Sequence, residues 1–311
     1  YQKKVAIAPF DGIFSAHGMV LRPREDVIDK SFFPLFISSD YFLDAAIKIS
    51  VGSLSPTINW RDLKTLEFEL PDLATQRKLA ETLWSINDTM ETYKKLIAAT
   101  DELVKSQFME LFGDPVTNTQ GREVRPFKDF MLDIRYGTSQ PPTFNELGEF
   151  KFIRATNIKA GRITENGMLR ISADEAAKIE KCRLNGNEII IVRSGANTGD
   201  TCVVTDEYRD QYAGYDIIVT LNLEIANPVF FNELMNTHYM QAIIKPLTVR
   251  AAQPHINSEQ VQNLPMLVVP LQEQEQFATF VRQSDKSKFE LEKALSELTA
   301  TYKRIIAENL G

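Results

Sequence analysis

Between Leu73 and Phe112 the chain holds no Gly or Pro, and its apolar residues return at alternating intervals of four and three. Leu79, Leu83, Ile86, Met90, Tyr93, Ile97, Thr100, Val104, Gln107 and Leu111 occupy this stripe. Such spacing is the a/d seam of a coiled coil, here with two polar interruptions. At ~1.5 Å per residue it predicts a rod of about 60 Å, stopped by Gly113 and then Asp114-Pro115. A second stripe, Phe277, Val281, Ser284, Lys288, Leu291, Leu295, Leu298, Tyr302, Ile305 and Asn309, has the same spacing. Two rods in one register are expected to pack antiparallel. Leu79, Leu83, Ile86, Met90, Tyr93, Ile97 and Val104 of the first would then meet Phe277, Val281, Leu291, Leu295, Leu298 and Tyr302 of the second. The alternative is that each helix packs only against its own domain. Ser284 and Lys288 weaken the seam and are candidates for specifying register or facing a partner.

Before each rod the pattern changes to short apolar runs of strand type. Phe150–Arg154, Glu188–Val192, Thr201–Val204 and Ile217–Leu221 read as strands, followed by an amphipathic helix from Pro228 to Ile244 with Phe230, Phe231, Leu234, Met235 and Tyr239 on one side. The first part of the chain shows the back half of the same plan: strands at Val5–Ala8 and Met19–Leu21, then a helix from Phe32 to Ile47.

These likenesses follow one arithmetic rule. Pro56-Thr57-Ile58-Asn59 returns 198 residues later as Pro254-His255-Ile256-Asn257, and Phe32-Phe33 returns as Phe230-Phe231. Tyr41 matches Tyr239, Leu66 matches Leu264, and Gly113 matches Gly311, with no gap required. A repeat of this length is a duplicated domain and not a solenoid unit. Residues 114–198 have no counterpart, so the expectation is two tandem units of 198 residues with the first 85 of the first absent from this sequence. We read it as an N-terminally truncated or incompletely represented two-copy protein. The predicted fold class is α+β. Residues 1–70 form the back part of a first globular domain, 71–113 a long helix, 114–270 a second, complete domain and 271–311 a second long helix.

Composition narrows the function. A hydrophobic share of 43% and a charged share of 25% are ordinary for a globular protein. No run reaches the roughly 18 apolar residues that a membrane span needs, and Tyr1 opens no signal peptide. The expected location is the cytoplasm, with Cys182 and Cys202 as reduced thiols. A net charge of −7 argues against a simple basic nucleic-acid binder, so any DNA contact must be local or shared with a partner. His17, His238 and His255 are scattered, without metal-ligand spacing or a triad partner. The Gly195–Gly199 loop lacks the Lys-Ser/Thr of a phosphate-binding loop. The one Pro-Pro, in Gln140-Pro141-Pro142-Thr143, does not fit the Asn-Pro-Pro-aromatic motif of amino-methylating enzymes. No catalytic site is expected, and no cofactor or metal on this chain.

Three polar clusters lie in predicted turns. They are Tyr136-Gly137-Thr138-Ser139-Gln140, then Arg154-Ala155-Thr156-Asn157-Ile158-Lys159 followed by Gly161-Arg162, and Arg193-Ser194-Gly195-Ala196-Asn197-Thr198-Gly199. The second and third mix Arg or Lys with Asn and Thr, and the first carries Thr, Ser and Gln beside Tyr, side chains that read base edges or hold phosphates. The candidate DNA-binding residues are Tyr136, Thr138, Ser139, Gln140, Arg154, Thr156, Asn157, Lys159, Arg162, Arg193, Ser194 and Asn197. A single such cluster is also what any hydrophilic turn shaped by Gly and Asn looks like. The repeated Pro-x-Ile-Asn segment is expected to shape the fold where domain meets helix.

Leu70-Pro71-Asp72-Leu73-Ala74-Thr75-Gln76, repeated as Val269-Pro270-Leu271-Gln272-Glu273-Gln274, resembles the leucine-proline-proline-leucine-x-x-glutamine start of the long helix in specificity (S) subunits of type I restriction–modification systems. Glu188–Gly195 and Phe152–Ile158 resemble segments of that family's target recognition domains, with Gly186-Asn187 where Gly-Asp is usual. Each copy keeps only one proline of the pair. The likeness spans nearly the whole chain in the order domain, helix, domain, helix. It implies a non-catalytic subunit with two target recognition domains, the first incomplete, joined by two long antiparallel coiled-coil helices. Each domain would read half of a bipartite double-stranded DNA target, with the helices as a ruler. Two modification (methyltransferase) subunits using S-adenosylmethionine would dock on the helices, and restriction subunits would add ATP-driven cleavage. The alternative is a coiled-coil scaffold for protein assembly without sequence-specific DNA binding.

Overall fold

The computed structural model describes residues 5–8, 10–15, 18–52, 56–114, 117–118, 120–248 and 254–310. His17, Ser55, Pro115, Gln253 and Gly311 lie outside them. In chain order the helices and strands of the first part are α1 (Phe33–Ser38), α2 (Asp40–Lys48), α3 (Trp60–Leu63) and α4 (Leu73–Phe112). Then come β1 (Val124–Pro126), β2 (Met131–Tyr136), β3 (Phe150–Ile153), β4 (Ile158–Lys159), β5 (Arg162–Ile163), β6 (Leu169–Ile171) and α5 (Ala173–Lys178). They are followed by β7 (Ile189–Ile191), β8 (Thr201–Val203), β9 (Tyr212–Ala213), β10 (Ile217–Leu221), α6 (Pro228–Asn236), α7 (His238–Thr248), α8 (Ser258–Gln262), β11 (Pro265–Leu267) and α9 (Leu271–Leu310). The chain divides into two compact units, Tyr1–Thr100 with Ser287–Gly311, and Asp101–Lys286. Each long helix contributes to both. Among the described residues no helix is long and apolar enough to cross a membrane.

In the first unit Ile28, Phe32, Leu35 and Phe36 are buried against Ala80 and Leu83 of α4 and Leu310 of α9, with Leu79, Tyr302, Ile305 and Ile306 packed alongside. Thr299 of α9 reaches Met90 of α4 at 3.5 Å. The first half of α4 therefore lies beside the last part of α9, running the opposite way. The predicted strands Val5–Ala8 and Met19–Leu21 are not strands. By the 198 offset Met19–Leu21 corresponds to β10, which pairs with β2 and β7, and Val5–Ala8 to 203–206, of which only Val203 lies in β8. A strand exists only where a neighbour satisfies its backbone, and Val20 is 64% exposed where its counterpart Ile218 is wholly buried.

The second unit is built on an antiparallel sheet in the order β2-β10-β7-β8. Alternation sends Ile189, Ile191, Ile217 and Val219 to one face, under Phe230, Phe231 and Leu234 of α6 and under Phe108, Phe112, Phe277 and Val281 of the long helices. Ile190, Cys202 and Ile218 go to the other, against Ile153, Ile158, Leu184 and Ala213. Covering both faces explains why β7 reads as an unbroken apolar run. A smaller sheet, β6-β3-β9, adds a parallel pairing of β3 with β9 that carries Ile153 alongside Ala213. Here Val104, Phe108 and Phe112 of α4 pack with Phe277 and Val281 of α9, again end beside start.

The helical stripe drifts at its far end. Leu111 is 42% exposed while Phe108 and Phe112 are buried, and Asn309 is exposed while Leu310 is buried. A straight helix has 3.6 residues per turn, so a 3.5-residue pattern slips around the axis over several turns. The remaining stripe positions, including Ile86, Tyr93, Ile97, Leu291, Leu295 and Leu298, are buried or half-buried.

The repeat also appears in the hydrogen bonds. Gln76 accepts from the Asp29 N–H at 2.8 Å and donates to the carbonyls of Val27 and Pro71. Gln274 does the same, with Asn227, Ile225 and Val269. Both glutamines are buried. The glutamine of the sequence motif is thus a staple that fixes the first turn of each long helix to its own domain. Each helix predicted before it is broken once, at Ser39 and at Thr237, where the backbone turns extended. The hydroxyl in each case donates to the carbonyl three residues back and accepts from the N–H three residues on. One hydroxyl caps the following helix, and periodicity alone does not register such a break.

Candidate nucleic-acid interface

Strand direction brings two of the three polar clusters to one end of the main sheet: Tyr136 ends β2 and Arg193 follows β7, on the side where β10 begins after Tyr215-Asp216. The Arg154 cluster follows β3 of the smaller sheet, whose last residue, Ile153, lies beside Ala213. All three meet on the segment Ala213-Gly214-Tyr215-Asp216. The Gly137 N–H donates to the Asp216 carbonyl at 3.0 Å, the Gly214 N–H to the Ile153 carbonyl at 2.8 Å, and the Arg193 N–H to Asp216 Oδ1 at 3.1 Å. Sequence reasoning missed this hub, and its one local signal was a glycine before an apolar strand.

Arg193 is the centre of the arrangement. Its guanidinium carbon lies 4.3 Å from the ring centre of Tyr136 and 4.4 Å from that of Tyr215, a cation–π contact with each ring. The Tyr136 hydroxyl accepts from the Ser258 N–H at 2.9 Å, tying the stack to the start of α8. Gly195 N–H and Thr198 Oγ1 donate to the Pro254 carbonyl, and Ser194 bridges to His255. The repeated Pro-x-Ile-Asn segment is therefore the floor of the Arg193 loop, and Asn257 within it caps α8. Burial and the nearby Arg193 charge lower the pKa of His255.

The predicted residues separate into two groups. Thr156, Lys159, Ser139 and Gln140 are exposed, and Ser194, Asn197 and Thr138 half-buried. Thr138 exchanges hydrogen bonds with Gln140 that shape their turn. Asn157, by contrast, is wholly buried. It accepts from the Arg154 N–H and donates to the carbonyls of Thr164 and Asn166, leaving its amide no capacity for DNA. Arg154 donates to the Gly167 carbonyl at 2.9 Å, so part of its fork is spent inside the domain. Arg162 sits on the β4–β5 hairpin, whose tip packs on α6 through Asn232, and pairs with Asp285 of α9. Asn157 and Arg162 thus serve the fold; composition cannot tell a turn that braces its own backbone from one that faces outward. Away from these loops, burial pushes Glu188 up, but the bidentate Arg135 pair at 2.7 and 2.9 Å and the Asn185 N–H outweigh it and hold the carboxyl below its usual range.

Asp216 is the titratable group of the hub. Burial pushes its pKa up to about 6, against the Arg193 N–H and charge, which lower it. The folded chain then binds more protons than the unfolded chain between the ordinary 3.8 and about 6. This group's contribution to stability therefore falls as pH rises through that window and stays low above it. Asp216→Asn, whose amide oxygen still accepts from Arg193, should remove that slope. Relative to wild type it should gain on the order of 2–3 kcal/mol between about pH 4 and pH 7. Urea unfolding across this range is the measurement, and parallel profiles for the two proteins would refute the assignment.

Against this geometry the comparisons are direct. Residues 2–100 and 123–299 match the family described as type I restriction modification DNA specificity domain. The chain belongs to that family. Its sequence is 20% identical over 324 residues to the type I restriction enzyme EcoKI specificity subunit of Escherichia coli K12, covering 96% of this chain and 68% of that protein. Its fold is similar to the S subunit of the type I restriction–modification system from M. genitalium, with a TM-score of 0.63 and 17% identity over 92% of this chain and 74% of the other. A second similar structure comes from work on complex assembly and conformational transition of the type I system, with a TM-score of 0.56 and 17% identity over 93% of this chain and 73% of that one. The chain is thus a type I specificity subunit, a non-catalytic component of such a system.

Proposed function

We propose that the second unit reads one half of a bipartite double-stranded DNA target through the loops gathered on Ala213–Asp216, with Arg193 at their centre. The observation that carries this reading is the convergence of three loops, far apart in sequence, on one hub. They bring donors of the kind that meet base edges and phosphates. The first unit, built on the same repeat, belongs to the other half-site, and α4 and α9 set the distance between the halves. The helices dock two modification subunits, which carry S-adenosylmethionine, and restriction subunits that use ATP; this chain holds no cofactor itself. The complex works in the cytoplasm. A net charge of −7 fits such an assembly, because partners can supply part of the phosphate contact.

The test is a methylome. Cells expressing this chain with its modification subunits should carry a methylated motif of two short half-sites separated by a constant gap, and the motif should vanish when this chain is omitted. A motif that persists without the chain, or methylation with no shared sequence, would remove the proposal.

A further inference from the structure

We infer that Arg193 is a base-reading residue of the second unit and that its target is a guanine of the half-site. The inference rests on the DNA-reading role proposed above and assigns a chemistry within it.

The guanidinium is packed against two tyrosine rings, Tyr136 and Tyr215, at 4.3 and 4.4 Å from their centres. The backbone is fixed on both sides: the Arg193 N–H donates to Asp216 at 3.1 Å and its carbonyl accepts from the Ile256 N–H at 3.0 Å. Among the described residues the side chain makes no hydrogen bond, and Nε is buried without a partner. A buried donor without an acceptor is uncommon in a folded protein. Arg193 as a whole is half-buried, so part of its planar donor fork stays reachable and none of it is spent inside the chain. A fork held edge-on matches two acceptors lying in one plane, and in the major groove guanine presents such a pair in O6 and N7.

A phosphate would also accept from this edge, but two features favour the base. Asp216 lies within the field of Arg193 and offsets its charge, which diminishes a contact that depends on charge alone. A phosphate contact also has no need of a side chain held by two rings, whereas discrimination among base edges depends on fixed direction. Arg154 in the same loop set also has a buried Nε without a partner, but its Nη2 donates to the Gly167 carbonyl, which ties that guanidinium to the fold, whereas the Arg193 side chain has no such bond.

The experiment uses the complex of this chain with its modification subunits and duplexes carrying the methylated motif. Each guanine of the half-site read by the second unit is replaced in turn. Wild type should discriminate against every replacement. Arg193→Ala should lose discrimination at one guanine by roughly 5- to 150-fold, so that both duplexes bind alike, while the other positions keep theirs. Arg193→Lys retains a charge on a flexible stem and should show the same single-position loss. Should Arg193→Ala not assemble, Arg193→Lys carries the test by itself. Uniform weakening over all duplexes, with a salt slope reduced by about one and restored by Arg193→Lys, would make this a phosphate contact and overturn the inference. It is equally overturned if every discrimination survives in the variants or if the half-site has no guanine. A wild-type complex with no sequence preference would instead sink the proposed function, and the two failures are distinguishable.

Discussion

Phe277→Ala should destabilise the second unit by about 3–5 kcal/mol, the cost of emptying a fully buried aromatic site. Phe277 is 1% exposed and meets Phe108 at 5.5 Å and Phe112 at 5.4 Å, both edge to face. It is thus the point at which the start of α9, the end of α4 and the sheet-covering Phe230 share one aromatic cluster. Truncation leaves a hole that three other rings cannot fill without leaving their own rotamers. Denaturant unfolding monitors the change. Phe289→Ala, on the same helix but 63% exposed, is the control and should stay within about 0.5 kcal/mol. The repeat adds a further comparison: Leu79 occupies the position of Phe277 in the first copy and is only half-buried, so Leu79→Ala should cost less. A Phe277→Ala protein within about 1 kcal/mol of wild type would show that the helices are not anchored here.

Gly137→Ala should be the most damaging single change at the candidate interface. A Cβ there would lie 1.7 Å from the Gly214 carbonyl oxygen and 2.7 Å from that of Ala213. Both obstacles are backbone, so no side chain can rotate away, and the hub or β2 must move. Overpacking of this kind costs roughly 1–3 kcal/mol and more where the backbone resists. The displacement falls on the segment that carries Tyr215 and Asp216, so the stack on Arg193 opens. Binding of the motif duplex by the assembled complex should then drop at least about tenfold, as on loss of a bidentate contact. Gly195→Ala is an informative comparison, because nothing lies within 4 Å of its Cβ although its φ of +97° strains any side chain. Full motif binding by Gly137→Ala would mean that the hub is not what positions the reading residues.

Much of the fold was legible because it rests on periodicity. The 4-3 apolar spacing gave both long helices, and the repeat carried the Gln76 and Gln274 staples through in matching form. The strand patterns at Ile189–Ile191 and Ile217–Leu221 were equally plain, since alternating or continuous burial leaves a local mark. Other features left none. Ser39 and Thr237 break their helices through a single hydroxyl, which the apolar stripe passes over. Val5–Ala8 and Met19–Leu21 have the pattern of strands, yet a strand is a relation between segments and not a property of one. The Gly214-Tyr215-Asp216 hub is invisible for a related reason. Its importance lies in the N–H groups of Gly137 and Arg193 that arrive from remote positions.

The sequence by itself determined the duplicated plan, the two helices with their apolar stripe, and the set of polar turns from which an interface could be drawn. Local composition and spacing suffice for these, because each depends on neighbours within a few turns or residues. Only the tertiary structure decided which polar side chains remain available. It buried Asn157 within its own backbone, tied Arg162 to Asp285, and left Arg193 packed against two tyrosines with a donor unmet. A hydrogen-bonding group is defined by what satisfies it, and its partners here come from segments that only folding brings into reach.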